Sequence, residues 1–299
     1  MFIRVLGAGA GGGLPQWNCG CTICAAARQG RIPDLTQSSV AVSAGGKEWV
    51  LLNASPDLRV QLQATEVLHP SGIRESPLRA VVVTNGDVDH VAGLLSLREK
   101  TAFGLFATSA TLDVLAANPV FGVLDPELVT RHRIAMDEAF MPLPGLTVTA
   151  YTVPGKVPLY MEGEGFAEGP ETRQLGEQTI GLRIESAAGV FHYVPGCADL
   201  PDWLCNRLTE ADVLFFDGTV WVDDDMLRSG TGKKTGARMG HMAMSGPDGS
   251  LARLAYLRGR RVYIHINNTN PVLMPESPER AQLAAAGWEL AHDGMEIAL

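Results

Sequence analysis

The stretch Val81-Val82-Val83-Thr84-Asn85-Gly86-Asp87-Val88-Asp89-His90-Val91-Ala92-Gly93-Leu94 passes from an apolar strand through a polar turn into the start of a helix. That order ties the chain to an α/β architecture and sets a carboxylate beside an imidazole where both can point into one pocket. Other β-branched runs read as strands: Phe2 to Leu6, Ser38 to Ser43, Trp49 to Asn53, Leu146 to Val153, Val190 to Val194, Val213 to Phe216 and Arg261 to Ile266. Two helix starts carry a serine cap followed by proline, Ser55-Pro56-Asp57 and Ser277-Pro278-Glu279. Strands and helices are mixed without strict alternation, which suits two mixed sheets packed face to face with helices outside, an αββα sandwich, better than a doubly wound sheet. No linker divides the chain, so residues 1–299 are expected to form a single domain. Two segments read as mobile loops: the glycine- and glutamate-rich 161–177 and the basic, glycine-rich 228–240.

Composition narrows the function. With 46% hydrophobic residues the chain can build a large core, and its net charge of −9 argues against a general nucleic-acid binder. The N-terminus lacks the apolar core of a secretory signal, and no apolar run approaches the ~18 residues that span a bilayer, so a cytoplasmic protein is expected. Gly7-Ala8-Gly9-Ala10-Gly11-Gly12 matches a dinucleotide fingerprint in spacing only. Pro15 and cysteines follow where a helix should open, and no acidic residue closes a second strand, so the run reads as a turn that lets the backbone come close to the metal loop. Cys19-Gly20-Cys21-Thr22-Ile23-Cys24 gathers three thiols in one tight turn, the spacing of a structural zinc site with a fourth ligand to be found elsewhere. The remaining two cysteines, Cys197 and Cys205, are isolated.

The Asp89-His90 segment resembles the metallo-β-lactamase superfamily, whose motif here is His-x-His-x-Asp-His. Asp89 and His90 match the second-site pair, and His265 in Val262-Tyr263-Ile264-His265-Ile266-Asn267 matches that site's late-strand histidine. Asn85 and Asp87 replace the first two histidines, Cys197 replaces the bridging aspartate, and Val153-Pro154-Gly155-Lys156 offers no third histidine. The resemblance therefore implies one metal site: two imidazoles and a carboxylate, the ligand set of non-haem Fe(II) oxygenases; two-metal hydrolysis lacks the ligands of its second ion, and a metal-dependent hydrolase is the alternative. Leu14-Pro15-Gln16-Trp17-Asn18-Cys19, Leu52-Asn53-Ala54-Ser55-Pro56-Asp57, Phe216-Asp217-Gly218-Thr219 and His265-Ile266-Asn267-Asn268-Thr269-Asn270-Pro271 extend the similarity over the whole length, to the B-protein family of pyrroloquinoline quinone (PQQ) biosynthesis. What that implies is Fe(II)-dependent, O2-using hydroxylation of a tyrosine-derived, Glu-Tyr crosslinked PQQ precursor, alongside other PQQ biosynthesis proteins. The rival is a carrier for PQQ or its precursor, which fits poorly with a chain that has no membrane segment.

Further candidates surround this set. His241, after the basic loop, serves either as proton donor or carboxylate partner in the pocket or as a loop cap. Lys233, Lys234 and Arg238 either bind substrate carboxylates from a closing loop or solvate a surface. Asp217, ending an apolar strand, either orients a ligand or makes an Asp-Gly turn.

Overall fold

A computed structural model of the chain describes residues 1–163 and 172–299. Its strands are β1 (Phe2–Gly7), β2 (Ser39–Ser43), β3 (Trp49–Leu52), β4 (Leu78–Val82), β5 (Phe103–Ala107), β6 (Val129–Arg133), β7 (Ala139–Leu143), β8 (Leu146–Thr152), β9 (Ile180–Ser186), β10 (Gly189–Val194), β11 (Val213–Asp217), β12 (Arg260–Ile264), β13 (Glu289–Leu290) and β14 (Glu296–Ala298). The helices are α1 (Thr22–Arg28), α2 (Leu58–Ala64), α3 (Val88–Val91), α4 (Ser109–Ala117), α5 (Asp202–Arg207), α6 (Asp225–Arg228), α7 (Gly236–Met239), α8 (Ser250–Arg253) and α9 (Pro278–Ala285). The strands form two seven-stranded mixed sheets, ordered β14-β1-β2-β3-β4-β5-β6 and β13-β12-β11-β10-β9-β8-β7. Among the described residues no helix is long and apolar enough to cross a membrane.

Side-chain alternation builds the layers. Val40, Val42, Val50, Leu52, Ala80 and Val82 point from the first sheet into the core shared with Val148, Ala150, Leu182, Ile184, Phe191 and Phe215 of the second. Their neighbours Ala41, Trp49, Leu51, Val81 and Val83 point the other way, against Leu58, Val91, Leu94 and Leu115 of the outer helical layer. Strands buried on both faces read as continuous apolar runs, which is why these stand out in the sequence. The strands β5, β6, β7 and β9 have no such signature: β5 is interrupted by Gly104, β7 by Pro142 and β9 by Gly181, while β6 (Val129-Thr130-Arg131-His132-Arg133) is an edge strand exposed from Thr130 onward.

Local start signals fared unequally. Ser277 caps α9, its side chain accepting from the Arg280 N–H with Pro278 in the first turn. Ser55 does not cap α2: that helix begins at Leu58 after Asp57, and the Ser55 hydroxyl donates instead to Gln61 Oε1 at 2.9 Å. The basic stretch 228–240 is not loop throughout, since Thr235 caps the short helix α7 by accepting from the Arg238 N–H. Of the expected 161–177 loop, residues 164–171 lie outside the described residues.

The strands β3 to β6 run parallel in one sheet and β10 to β13 in the other. Chains leaving the carboxyl ends of β4, β11 and β12 converge at one edge of the sandwich, the place where parallel strands leave room for a site.

Candidate metal centre

Asp89 and His90 lie in the single turn of α3, directly after the β4 strand and its polar turn. His265 immediately follows β12 with φ of +60°, a left-handed conformation unusual for a residue with a side chain. Donor atoms of the three residues lie within 4.8 Å of one another, with His265 Nε2 3.0 Å and His90 Nε2 4.0 Å from Asp89 Oδ2. Ligands about 2.1 Å from one ion sit about 3 Å apart when adjacent, so this spacing needs only a small closure to hold a metal.

Each imidazole is turned by a partner on its other nitrogen. Asn85 Oδ1 lies 2.8 Å from His90 Nδ1, and an amide oxygen only accepts, so Nδ1 carries the proton and Nε2 presents its lone pair. That Nε2 is buried without a hydrogen-bond partner. Burial, outweighing the nearby Asp89 charge, drops the His90 pKa to about 4, so the ring is neutral as a ligand must be. His265 donates from Nδ1 to Thr219 Oγ1 at 2.9 Å, and that hydroxyl donates to Asp217 Oδ1 at 2.6 Å. Burial disfavours charge on both Asp89 and His265, yet the neighbouring His90 and the bond from His265 hold the Asp89 carboxyl well below the usual range, and the bond to Asp89 raises the His265 imidazole. The proton shared there is what a bound cation would replace. The neutral, orphaned His90 Nε2 and the hard carboxylate beside two imidazoles fit a first-row divalent metal.

Beside this trio stands a second one that shares His265. His241 Nδ1 lies 2.7 Å from Asp217 Oδ2, and its ring stacks on His265 at 5.2 Å between centroids. Asp217 is fully buried; burial would raise its pKa, but the paired His241 keeps it low and the carboxylate ionised. Cys197 enters through its backbone, whose N–H donates to Asp217 Oδ2 at 2.8 Å. The Cys197 thiol, raised well above its ordinary pKa chiefly by burial, bonds the Asp199 carbonyl and does not join the donors. Where the superfamily motif would have its second histidine stands Asp87, whose carboxyl is pushed up by burial and by the Asp89 charge.

Asp89, His90, His265, Asn85, Asp87, Thr219 and His241, but not Asp217 or Cys197, line a cavity of about 240 Å³ together with Ala10, Gly11, Lys156, Leu159, Lys234, Arg238 and Asn267. A Cβ on Gly11 would lie 3.3 Å from Asp89 Oδ2, so the glycine run does bring bare backbone against the donors. Of the expected substrate-binding cations, Lys234 and Arg238 face the cavity, whereas Lys233 is exposed and outside its lining. A larger open cleft of about 960 Å³ shares His241 but contains none of the trio Asp89, His90 and His265.

The thiols of Cys19, Cys21 and Cys24 also converge within 4.8 Å. Cys21 caps α1, its sulfur accepting the Cys24 N–H, and Cys19 Sγ accepts the Cys21 N–H, both at 3.5 Å. The fourth corner belongs to Asn268, whose side-chain amide lies 3.3 Å from Cys19 Sγ and 3.2 Å from Cys24 Sγ. Burial lifts the Cys21 thiol to about 11, while the hydrogen bonds Cys19 accepts outweigh its burial and lower its pKa, so without a cation the thiols do not all ionise together.

Sequence reasoning missed Thr219, Lys156 and Asn268 as site residues. Thr219 and Asn268 stood within recognised motifs, but only the fold shows what their side chains touch.

Residues 48–266 match the family described as the Beta-lactamase superfamily domain, and with the two-sheet sandwich this makes the chain a member of that superfamily. Coenzyme PQQ synthesis protein B of Ruegeria pomeroyi is 56% identical over 299 residues, covering 100% of both chains. The protein of the same name from Methylobacterium sp. (strain 4-46) is 55% identical over 299 residues, covering 99% of each. The crystal structure of Zn(2+)-bound PqqB from Methylobacterium extorquens shares 52% identity and a TM-score of 0.97, covering 100% of both. The chain belongs to the coenzyme PQQ synthesis protein B family. A diphosphatase of the PhnP family shares the fold, with a TM-score of 0.70 at 23% identity over 100% of this chain and 97% of that one.

Proposed function

We propose that this protein acts in PQQ biosynthesis as an Fe(II)-dependent, O2-using hydroxylase of a tyrosine-derived precursor. The observation that carries the reading is the donor set itself: one carboxylate and two imidazoles converge, while Asn85 and Asp87 stand where the superfamily's first metal would need histidines and Val153-Pro154-Gly155-Lys156 offers none. Bound there, Fe(II) would supply the activation of O2 that aromatic hydroxylation requires. Asp89, His90 and His265 would hold the ion on one side and leave the opposite side to substrate and oxygen. The His241 and Asp217 pair would accept or return a proton at His241 Nε2, because Nδ1 is committed to the carboxylate. The cations of the cavity would orient precursor carboxylates. At the cysteine cluster we propose structural zinc, with Asn268 Oδ1 as fourth ligand after a flip of the amide, since metal-bound thiolates need no N–H donor. The cytoplasm suits both the substrate and the reduced cysteines.

The test is anaerobic reconstitution with Fe(II), Zn(II) or Co(II), followed by O2 and a tyrosine- or DOPA-containing precursor. Hydroxylated product is expected with iron and O2 alone. Equal turnover with zinc, or product without O2, would turn the assignment to a hydrolase. Tight binding of PQQ that survives Asp89→Ala, with biosynthesis retained in the cell, would turn it to a carrier.

A further inference from the structure

Among the described residues, Glu162 makes the most enclosed ion-pair cluster outside the metal donors. Its carboxylate is 7% exposed and meets Lys156 Nζ at 3.0 Å, with Lys156 itself 10% exposed. Arg238, 17% exposed, reaches the same carboxylate with both ends of its guanidinium, Nη2 to Oε2 at 2.7 Å and Nη1 to Oε1 at 3.1 Å. A bidentate guanidinium plus an ammonium on one carboxylate is a carboxylate-recognition site in its strongest common form. Both cations also line the metal cavity, whereas Glu162 does not.

Contacts other than Glu162 also fix the segments that carry the cations. Thr235 caps α7 and so fixes the turn from which Arg238 projects. The Lys156 stem passes over Gly240, where a Cβ would come within 3.1 Å of Lys156 Cγ. Lys156 also donates to the Val157 carbonyl at 3.1 Å. Asp87 and Asp89 line the same cavity as these cations, as do Lys234 and His241. A cationic pair in the lining of a site that also holds two aspartates would be satisfied by an anion brought by the ligand.

We propose that Lys156 and Arg238 bind a carboxylate of the substrate, and that Glu162 is an internal ligand that occupies this position until the substrate carboxylate displaces it. The inference rests on the reading of the substrate as a carboxylated precursor, and it adds Lys156 as a specificity residue. It also explains why a chain of net charge −9 can admit an acidic molecule: one carboxylate leaves the cations as another arrives, so their charge stays matched throughout.

The experiment measures binding of PQQ, a tricarboxylate, and of L-glutamate to the full chain with its zinc retained and no iron added, by calorimetry without O2. A failed hydroxylase assignment therefore leaves its result intact. Glu162→Gln is expected to bind both probes about tenfold more tightly, because the competing carboxylate is gone. Lys156→Gln and Arg238→Gln should each bind about tenfold more weakly, with circular dichroism unchanged. Affinity that stays level or falls in Glu162→Gln would overturn the displacement and make Glu162 a brace for the cations. Wild-type affinity in Lys156→Gln would remove Lys156 from the site.

Discussion

Thr219 has one hydroxyl proton and four polar neighbours: Asp217 Oδ1 at 2.6 Å, His265 Nδ1 at 2.9 Å, the His265 carbonyl at 2.9 Å and His241 Nδ1 at 3.1 Å. Its shortest bond gives that proton to the ionised Asp217, so the oxygen's lone pairs are left to receive the His265 Nδ1 proton. The tautomer that aims Nε2 at Asp89 follows from this chain of bonds. Thr219→Val keeps the shape and removes the relay. Its affinity for Fe(II) or Co(II) should fall by about 10- to 100-fold, read by anaerobic competition with a chromophoric chelator, while the fold is retained. Unchanged affinity would show that packing alone orients His265. Asp217 was legible as a strand-ending carboxylate, but its partners are His241, 24 residues away, and, through Thr219, His265, which lies 46 residues beyond that threonine. No local pattern joins them.

At the scale of elements, α1 shows how short sequence spacing becomes geometry. Cys21 sits at the cap of the helix and Cys24 in its first turn, so the winding of one turn brings the two sulfurs together, and Cys19 folds back through its bond from the Cys21 N–H. The three-thiol spacing was therefore readable, because every atom it needs lies within six residues. Cys21→Ser should lose about one equivalent of zinc by elemental analysis and melt at lower temperature, while the Asp89, His90 and His265 site still binds iron. Zinc content and melting temperature equal to wild type would remove the metal from this cluster. Helix starts were less uniform: Ser277 met the one requirement of a cap, a free hydroxyl facing the third residue on. Ser55 had a buried amide, Gln61, competing for its hydroxyl.

Across the whole molecule the two sheets are joined beneath the metal site by a small polar network. The Tyr193 hydroxyl from β10 meets Ser38 Oγ at 3.2 Å and Asn53 Nδ2 at 3.4 Å, and Asn53 in turn bonds the Thr84 hydroxyl and N–H at 2.9 Å. Tyr193→Phe leaves Ser38 and Asn53 with fewer partners inside the sandwich, so the urea midpoint should fall by the equivalent of about 1–2 kcal/mol with an unchanged slope. A midpoint within error of wild type would mean that apolar packing alone fixes how the sheets face each other. What the sequence by itself determined is what neighbouring residues settle among themselves: apolar runs of doubly buried strands, the Asp89-His90 pair at a strand-to-helix turn, and the thiol spacing of α1. His265 could be grouped with Asp89 and His90 because it follows a strand that is itself apolar and legible. The tertiary structure alone decided which distant groups meet. Asn268 reaches thiols 244 to 249 residues away, Glu162 reaches Arg238 across 76, and His265 faces Asp89 across 176. Those encounters depend on sheet order and on single backbone conformations such as the left-handed His265, which set the direction of a side chain without leaving any periodicity in the sequence to read.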